Sequence, residues 1–263
     1  MEIPLFPLHT VLCPGIVLPL HIFEERYRAM TRHLLETGGP FGVVLIREGR
    51  EVGGGDLALA PVGALAEIRE AGRYADGRYD LLAAGTGRFA IQSVDQAREP
   101  YLVADVRPLE EEVGDEARAE RLAASAIRRF VRYLELMRER AGESNDVLDI
   151  RVEIDAPDAS APAGEAQPVG EPEATVERVT ATGDEAAEAR SLTIPDDPTV
   201  LSYLLSGIVQ VELPKRQALL EAPTTTDRLE ALLRLLDREL VFLGRRWRVF
   251  APDPGAIGGV RRS

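Results

Sequence analysis

The feature that most constrains this chain is a break in its middle. Between Gly142 and Pro198 stand 15 aspartates and glutamates against 3 arginines, a net of −12 within a whole-chain charge of −13. Pro157, Pro162, Pro168 and Pro172 interrupt the same run, among Ala, Gly, Glu and Asp with few large apolar residues. Such a segment has little to bury against the entropy of ordering it. The composition therefore predicts a disordered acidic insert over Gly142–Asp197. A long insert is tolerable, because doubling a flexible loop adds only about 0.6 kcal/mol of closure entropy. What flanks it is close to neutral and has to form the fold.

Upstream of the break, residues 1–110 read as short strands with one helix. Ile16–Ile22 is an apolar strand candidate. Phe23, Tyr27, Met30 and Leu34 recur at helical spacing, and Gly38-Gly39 stops that helix. Phe41–Ile46 is a continuous apolar run of strand length. Val62–Arg69 and Arg78–Ala84 are joined through Ala75-Asp76-Gly77, where Asp-Gly supplies turn chemistry. Arg88–Val94 and Tyr101–Val106 are further strand candidates. Many short strands at this spacing predict a barrel or sandwich. Residues 111–141 then carry Leu122, Ala126, Phe130, Leu134 and Met137 on one helical stripe.

Beyond the break, residues 198–250 read as helices. Asp197 and Pro198 form a helix start, and Val200–Val211 is apolar nearly all round. Pro214 opens a short helix ending near Glu221. Asp227 followed by Glu230 predicts a capped helix with Leu229, Leu232, Leu233, Leu236, Leu240 and Leu243 on its apolar face. Arg245, Arg246 and Arg248 suit the negative end of its dipole. The whole predicts an α+β chain: a β barrel, then a helical bundle split in sequence by the insert. Residues 251–263 are expected to form a flexible tail.

Several function classes are disfavoured. Nucleic-acid binders need cations to displace phosphate counterions, and the basic clusters here are only Arg128-Arg129, Arg245-Arg246-Arg248 and Arg261-Arg262. The apolar N-terminus lacks a basic leader and is broken by Pro4, Pro7, Pro14 and Pro19. The run Val200–Leu213 is shorter than the ~20 residues a bilayer span needs. A cytoplasmic protein is expected. Cys13 has no second cysteine to pair with. His9, Cys13 and His21 match no zinc spacing, so no metal or cofactor is expected. Lys215, the sole lysine, follows Pro214 rather than a phosphate-cradling glycine loop. No Gly-x-Ser-x-Gly elbow occurs, and no catalytic residue is expected.

The ordered series Ile3-Pro-Leu-Phe-Pro-Leu8, Val11-Leu-Cys-Pro-Gly15, Leu18-Pro-Leu20, Ile22-Phe-Glu-Glu-Arg-Tyr-Arg28, Phe41–Ile46, Val62-Gly63, Asp76–Tyr79, Gly87-Arg-Phe89 and Pro100-Tyr-Leu102 resembles the N-terminal, substrate-binding domain of the Lon protease. Leu201-Ser-Tyr203, Gln217–Glu221 and Arg228-Leu229 resemble its helical part. The resemblance implies a PUA-like pseudo-barrel followed by a helical bundle, here as a stand-alone form without ATPase or peptidase domains. It implies a module that binds unfolded polypeptides or a specific protein partner in quality control, through apolar clefts between barrel and bundle. A nucleic-acid-binding PUA-like module is the alternative. Cys13 departs from the family, where an aromatic is usual, and so does the acidic insert. Candidate partner-binding residues are Phe23, Glu24, Arg26, Tyr27, Arg88 and Tyr101. Four of these have a plainer reading: Phe23 as core, Glu24 and Arg26 as a solvated helix face, Arg88 as the flank of a strand. Oligomeric state is left open.

Overall fold

A computed structural model describes residues 1–48, 58–141, 150–154 and 190–244. Seven strands build the N-terminal part: β1 (Glu2–Leu8), β2 (Val17–Ile22), β3 (Phe41–Glu48), β4 (Ala58–Leu59), β5 (Val62–Arg73), β6 (Tyr79–Asp95) and β7 (Leu102–Leu109). Helix α1 (Glu25–Thr37) lies between β2 and β3. The hydrogen-bonded order is β1-β7-β6-β5-β3-β4 with β2 on β6, and a parallel β1–β3 pairing closes the sheet on itself. This is the expected pseudo-barrel.

Strand β1 was not among the expected strands, and the register explains how its prolines fit. Glu2–Leu5 pairs with β7 and Leu5–Leu8 pairs with β3. Pro4 and Pro7 thus each sit in a half paired on one side, where a residue without an N–H is tolerated. The two strands expected over 78–84 and 88–94 are one 17-residue strand, β6. Gly85 is a close approach within it, not a break. A Cβ there would meet the Cys13 carbonyl oxygen at 2.5 Å. The Gly85 N–H donates to the Ile16 carbonyl, and its own carbonyl accepts from Gly15.

Helix α1 buries Tyr27, Met30, Thr31 and Leu34 and ends at Gly38, whose φ of 69° lets its N–H reach the Leu34 carbonyl. Phe23 does not continue this stripe. The helix begins only at Glu25, after an extended Glu24, so helical spacing does not reach back to Phe23, which is 61% exposed.

The bundle comprises α2 (Glu116–Ala141), α3 (Pro198–Ile208), α4 (Leu213–Leu220) and α5 (Thr225–Gly244). Ala119, Ala123, Ala126, Phe130 and Tyr133 of α2 pack with Leu229, Leu232 and Leu236 of α5 and Leu201 and Leu205 of α3. Leu122, Leu134 and Met137 border this core rather than filling it. Asp197 caps α3 as expected, accepting from the N–H groups of Thr199 and Val200. The cap of α5 sits three residues earlier than expected. Thr224 Oγ1 accepts from the Asp227 N–H at 3.1 Å and donates to the Asp227 carboxylate at 2.7 Å. Glu230 instead pairs with Arg118.

The expected insert is not irregular throughout. Its flanks carry β8 (Ile150–Ile154) and β9 (Arg190–Ile194), paired in parallel over five residues. Ile194 enters the bundle core. The alternation Ile150, Val152, Ile154 was the overlooked signal. Residues 142–149 and 155–189 lie outside the described residues, as do Arg245, Arg246, Arg248 and the tail.

Candidate functional site

Four of the six candidate residues gather at the start of α1. Arg26 donates from Nε to the Glu24 carboxylate at 3.0 Å and lies over the Tyr27 ring, 4.6 Å from its centroid. Tyr27 is buried, edge-on to Phe6 at 4.3 Å. Tyr101 is buried in the same core beneath α1, 6.4 Å from the His33 ring, and burial pushes its hydroxyl pKa up. Neither tyrosine offers a ring face to solvent. Phe23 does.

Phe23 is one end of a row that sequence reasoning missed. His21 lies 6.2 Å from Phe23 on one side and 6.2 Å from Tyr74 on the other, centroid to centroid. Tyr74 is 45% exposed. Strand alternation in β2 buries Leu20 and Ile22 and turns His21 outward. Tyr74 belongs to the β5–β6 hairpin, whose tip turns at Gly77 (φ 85°). That turn is gripped by α1: Arg28 Nε donates to the Gly77 carbonyl at 2.8 Å.

A polar network underlies the row. Tyr74 donates to one oxygen of Asp80, and His21 Nδ1 lies 2.6 Å from the other. Arg78 Nη1 lies 3.3 Å from His21 Nε2, while Arg78 Nε donates to Asp76 at 2.7 Å. A guanidinium cannot accept, so Nε2 is the acceptor and Nδ1 carries the proton that goes to Asp80. The Tyr74 and His21 hydrogen bonds hold the Asp80 carboxyl below the usual carboxylate range, and the same bond raises the Tyr74 hydroxyl. Around the row the charges are paired, Glu24 with Arg26, Glu25 with Arg28 and Arg32, and Asp76 with Arg78.

Arg88 is elsewhere, in the joint between barrel and bundle, with its side chain 2% exposed. Its Nη1 donates to the Leu220 and Ala222 carbonyls, at 2.9 and 2.7 Å, and its Nε to Glu111 at 2.8 Å. Arg228, fully buried, donates to the Leu219 carbonyl, Ser202 and Glu111, and Tyr203 donates to Glu111 at 2.6 Å. Gln217 Nε2 donates to the Val62 carbonyl at 2.9 Å. This joint was expected to hold an apolar cleft. It is filled and hydrogen-bonded, and the polar atoms of Arg88 are committed inside the molecule.

Cys13 is buried at this end of the barrel, far in character from the exposed His21. Among the described residues no group of three or more His, Cys, Asp and Glu could hold a metal ion. No helix among them is long and apolar enough to cross a membrane.

Comparison with known proteins places this architecture. Over 238 residues the chain is 26% identical to Lon protease 2 of Myxococcus xanthus, covering 90% of this chain and 24% of that protein. Over 149 residues it is 28% identical to the Lon protease of Anaeromyxobacter dehalogenans, covering 56% of this chain and 18% of that one. It thus spans under a quarter of the length of these proteases. The fold matches a Lon N-terminal domain protein from Xanthomonas campestris (TM-score 0.54, 22% identity, 89% of this chain and 98% of that one). It also matches the N-terminal domain of the Mycobacterium avium complex Lon protease (TM-score 0.56, 18% identity, 90% and 98%). The model of the ATP-dependent protease La (LON) substrate-binding domain matches residues 2–238, and the chain belongs to that family.

Proposed function

We propose that this chain is a non-catalytic module that binds exposed segments of unfolded or partner polypeptides, in the service of protein quality control. The observation that carries the reading is the surface row Phe23–His21–Tyr74, two exposed aromatics held on a rigid junction of β2, α1 and the β5–β6 hairpin. Aromatic side chains supply large apolar contact area at a small cost in side-chain entropy, which is what a docking surface needs. The ion-paired arginines around the row suit a polypeptide of mixed composition better than a polyanion. Arg129, one of the basic residues weighed for nucleic-acid binding, is engaged with Asp237. Family membership supports the same reading.

The test is fluorescence anisotropy of a labelled, permanently unfolded polypeptide titrated with the whole chain and with a Phe23→Ala/Tyr74→Ala variant. Saturable binding by the parent, weakened at least about tenfold in the variant, is expected for loss of two aromatic anchors. Equal binding by both would move the site away from this row.

A further inference from the structure

Near Pro61 the barrel wall opens. Strands β5 and β6 pair from Arg73–Tyr79 to Val62–Ala90, and one more bond runs from the Ile91 N–H to the Pro61 carbonyl. Beyond it the two sides diverge. β6 continues to Asp95 paired with β7 alone. The other side turns to β3, through the Ala60 N–H to the Leu45 carbonyl and the Leu59–Ile46 and Ala58–Glu48 pairs. Among the described residues no strand lies between β4 and this end of β6. The gap is a cleft of about 280 Å³, lined by Leu59, Pro61, Ile91, Val94, Gln96 and Leu102 among others. None of its lining residues is charged.

Two strand edges facing one gap leave backbone donors and acceptors that another backbone can satisfy. A third strand between them would complete the sheet, with alternate side chains lying on the apolar floor. An uncharged lining gives no purchase to a phosphate backbone or a charged tail, whose groups would lose water without gaining a partner. We propose that this cleft takes an extended, uncharged apolar segment of a bound polypeptide, added as a strand between β4 and the Ile91–Asp95 end of β6. The inference rests on the reading of the chain as a polypeptide-binding module and gives it a second contact. Asp80, under the aromatic row, and Val94, in the cleft, lie near opposite ends of β6, roughly 45 Å apart along the strand at about 3.3 Å per residue. A short peptide can therefore occupy one contact and not both.

The experiment uses the whole chain and a fluorescein-labelled peptide of alternating Val and Thr, about eight residues long. A companion peptide carries N-methyl groups on alternate backbone nitrogens, which removes the strand-pairing donors along one of its two edges and leaves its side chains intact. The parent peptide is expected to bind saturably. The N-methylated peptide should bind at least about tenfold more weakly. Val94→Asp should weaken the parent peptide by a similar factor, and the amides of residues 92–95 should exchange more slowly in the complex. The proposal is overturned if N-methylation leaves affinity unchanged, a comparison made on the unaltered protein and therefore independent of how Val94→Asp folds. It is also overturned if a folded Val94→Asp variant binds the parent peptide as the native chain does. If a permanently unfolded polypeptide binds and the short peptide does not, the cleft assignment fails and the general reading stands. If neither binds, both fail.

Discussion

The guanidinium carbon of Arg228 lies over the ring of Tyr203, 3.7 Å from its centroid, and the two side chains reach the same carboxylate, Glu111. Arg88, from the barrel, reaches it too. One carboxylate in the link before α2 therefore joins β6, α3 and α5. Burial lowers the Arg228 pKa and raises that of Tyr203. The barrel and bundle are fastened by a polar pin inside an apolar seam of Leu5, Phe89, Tyr203 and Leu220.

Removing the pin should be costly. Glu111→Ala leaves two buried guanidiniums sharing no counter-charge; because the Glu111 side chain is itself 33% exposed, the cost should lie near the lower end of the about 3–5 kcal/mol for breaking a fully buried pair. With urea slopes of about 1–3 kcal/mol/M, the midpoint should fall by 1 M or more. Adding Arg88→Leu should cost far less than the sum of the two single changes, because it removes one of the stranded charges. Strict additivity would mean that Glu111 and Arg88 do not act together.

How much of this was legible in the sequence depends on how far apart the partners lie. Met30 and Leu34 are one helical turn apart, and their buried face was read directly. Asp197 and Pro198 are neighbours, so the start of α3 was readable too. Arg88, Glu111, Tyr203 and Arg228 have no local relation, and Arg88 alone looks like any cation flanking a strand. The row Phe23–His21–Tyr74 was half visible. Phe23 stood out, but Tyr74 joins the row through His21, on a hairpin whose tip Arg28 holds against α1. Pro4 and Pro7 were read only as breaking a leader segment, and the strand they sit in is imposed by tertiary pairing that local propensity does not show.

The row itself should be dispensable for folding. Phe23 and Tyr74 expose about half or more of their surfaces, and substitutions at such positions usually change stability by no more than ~0.5 kcal/mol. Phe23→Ala and Tyr74→Ala should leave the urea midpoint nearly unchanged while weakening binding to an unfolded polypeptide. A variant that loses binding and stability together would point to a structural role instead.

Phe89 is enclosed between two glycines, and this predicts a specific clash. A Cβ at Gly63 would meet Phe89 Cζ at 2.5 Å and the Val43 carbonyl oxygen at 2.7 Å. Gly63→Ala should therefore destabilise by about 1–3 kcal/mol, as overpacking does. Phe89→Leu removes the ring atoms in conflict but not the carbonyl. The double variant should be more stable than the sum of its parts, yet not restored to the parent. Denaturation of the four proteins in one cycle measures this coupling.

Cys13 gives the chain a pH dependence of known sign. Burial is the main cause that pushes its thiol up to about 11 from 9.0, against smaller opposing pulls from Arg216 and Arg228. The folded state thus keeps the proton to higher pH than the unfolded state does. This contribution is fully present below pH 9 and is lost as pH rises from 9 towards 11, at about 1 kcal/mol per pH unit. Other groups titrate in the same range, so the informative quantity is the difference between the native chain and Cys13→Ala. Cys13→Ala opens a small void and should be somewhat less stable at pH 7, but its stability should fall less steeply above pH 9. The same burial predicts that a thiol-specific chromogenic reagent at pH 8 reacts with Cys13 only after denaturant is added, since the thiolate is the nucleophile. Prompt reaction of the folded chain, or parallel stability curves for the two proteins above pH 9, would show that the thiol is not held neutral in the core.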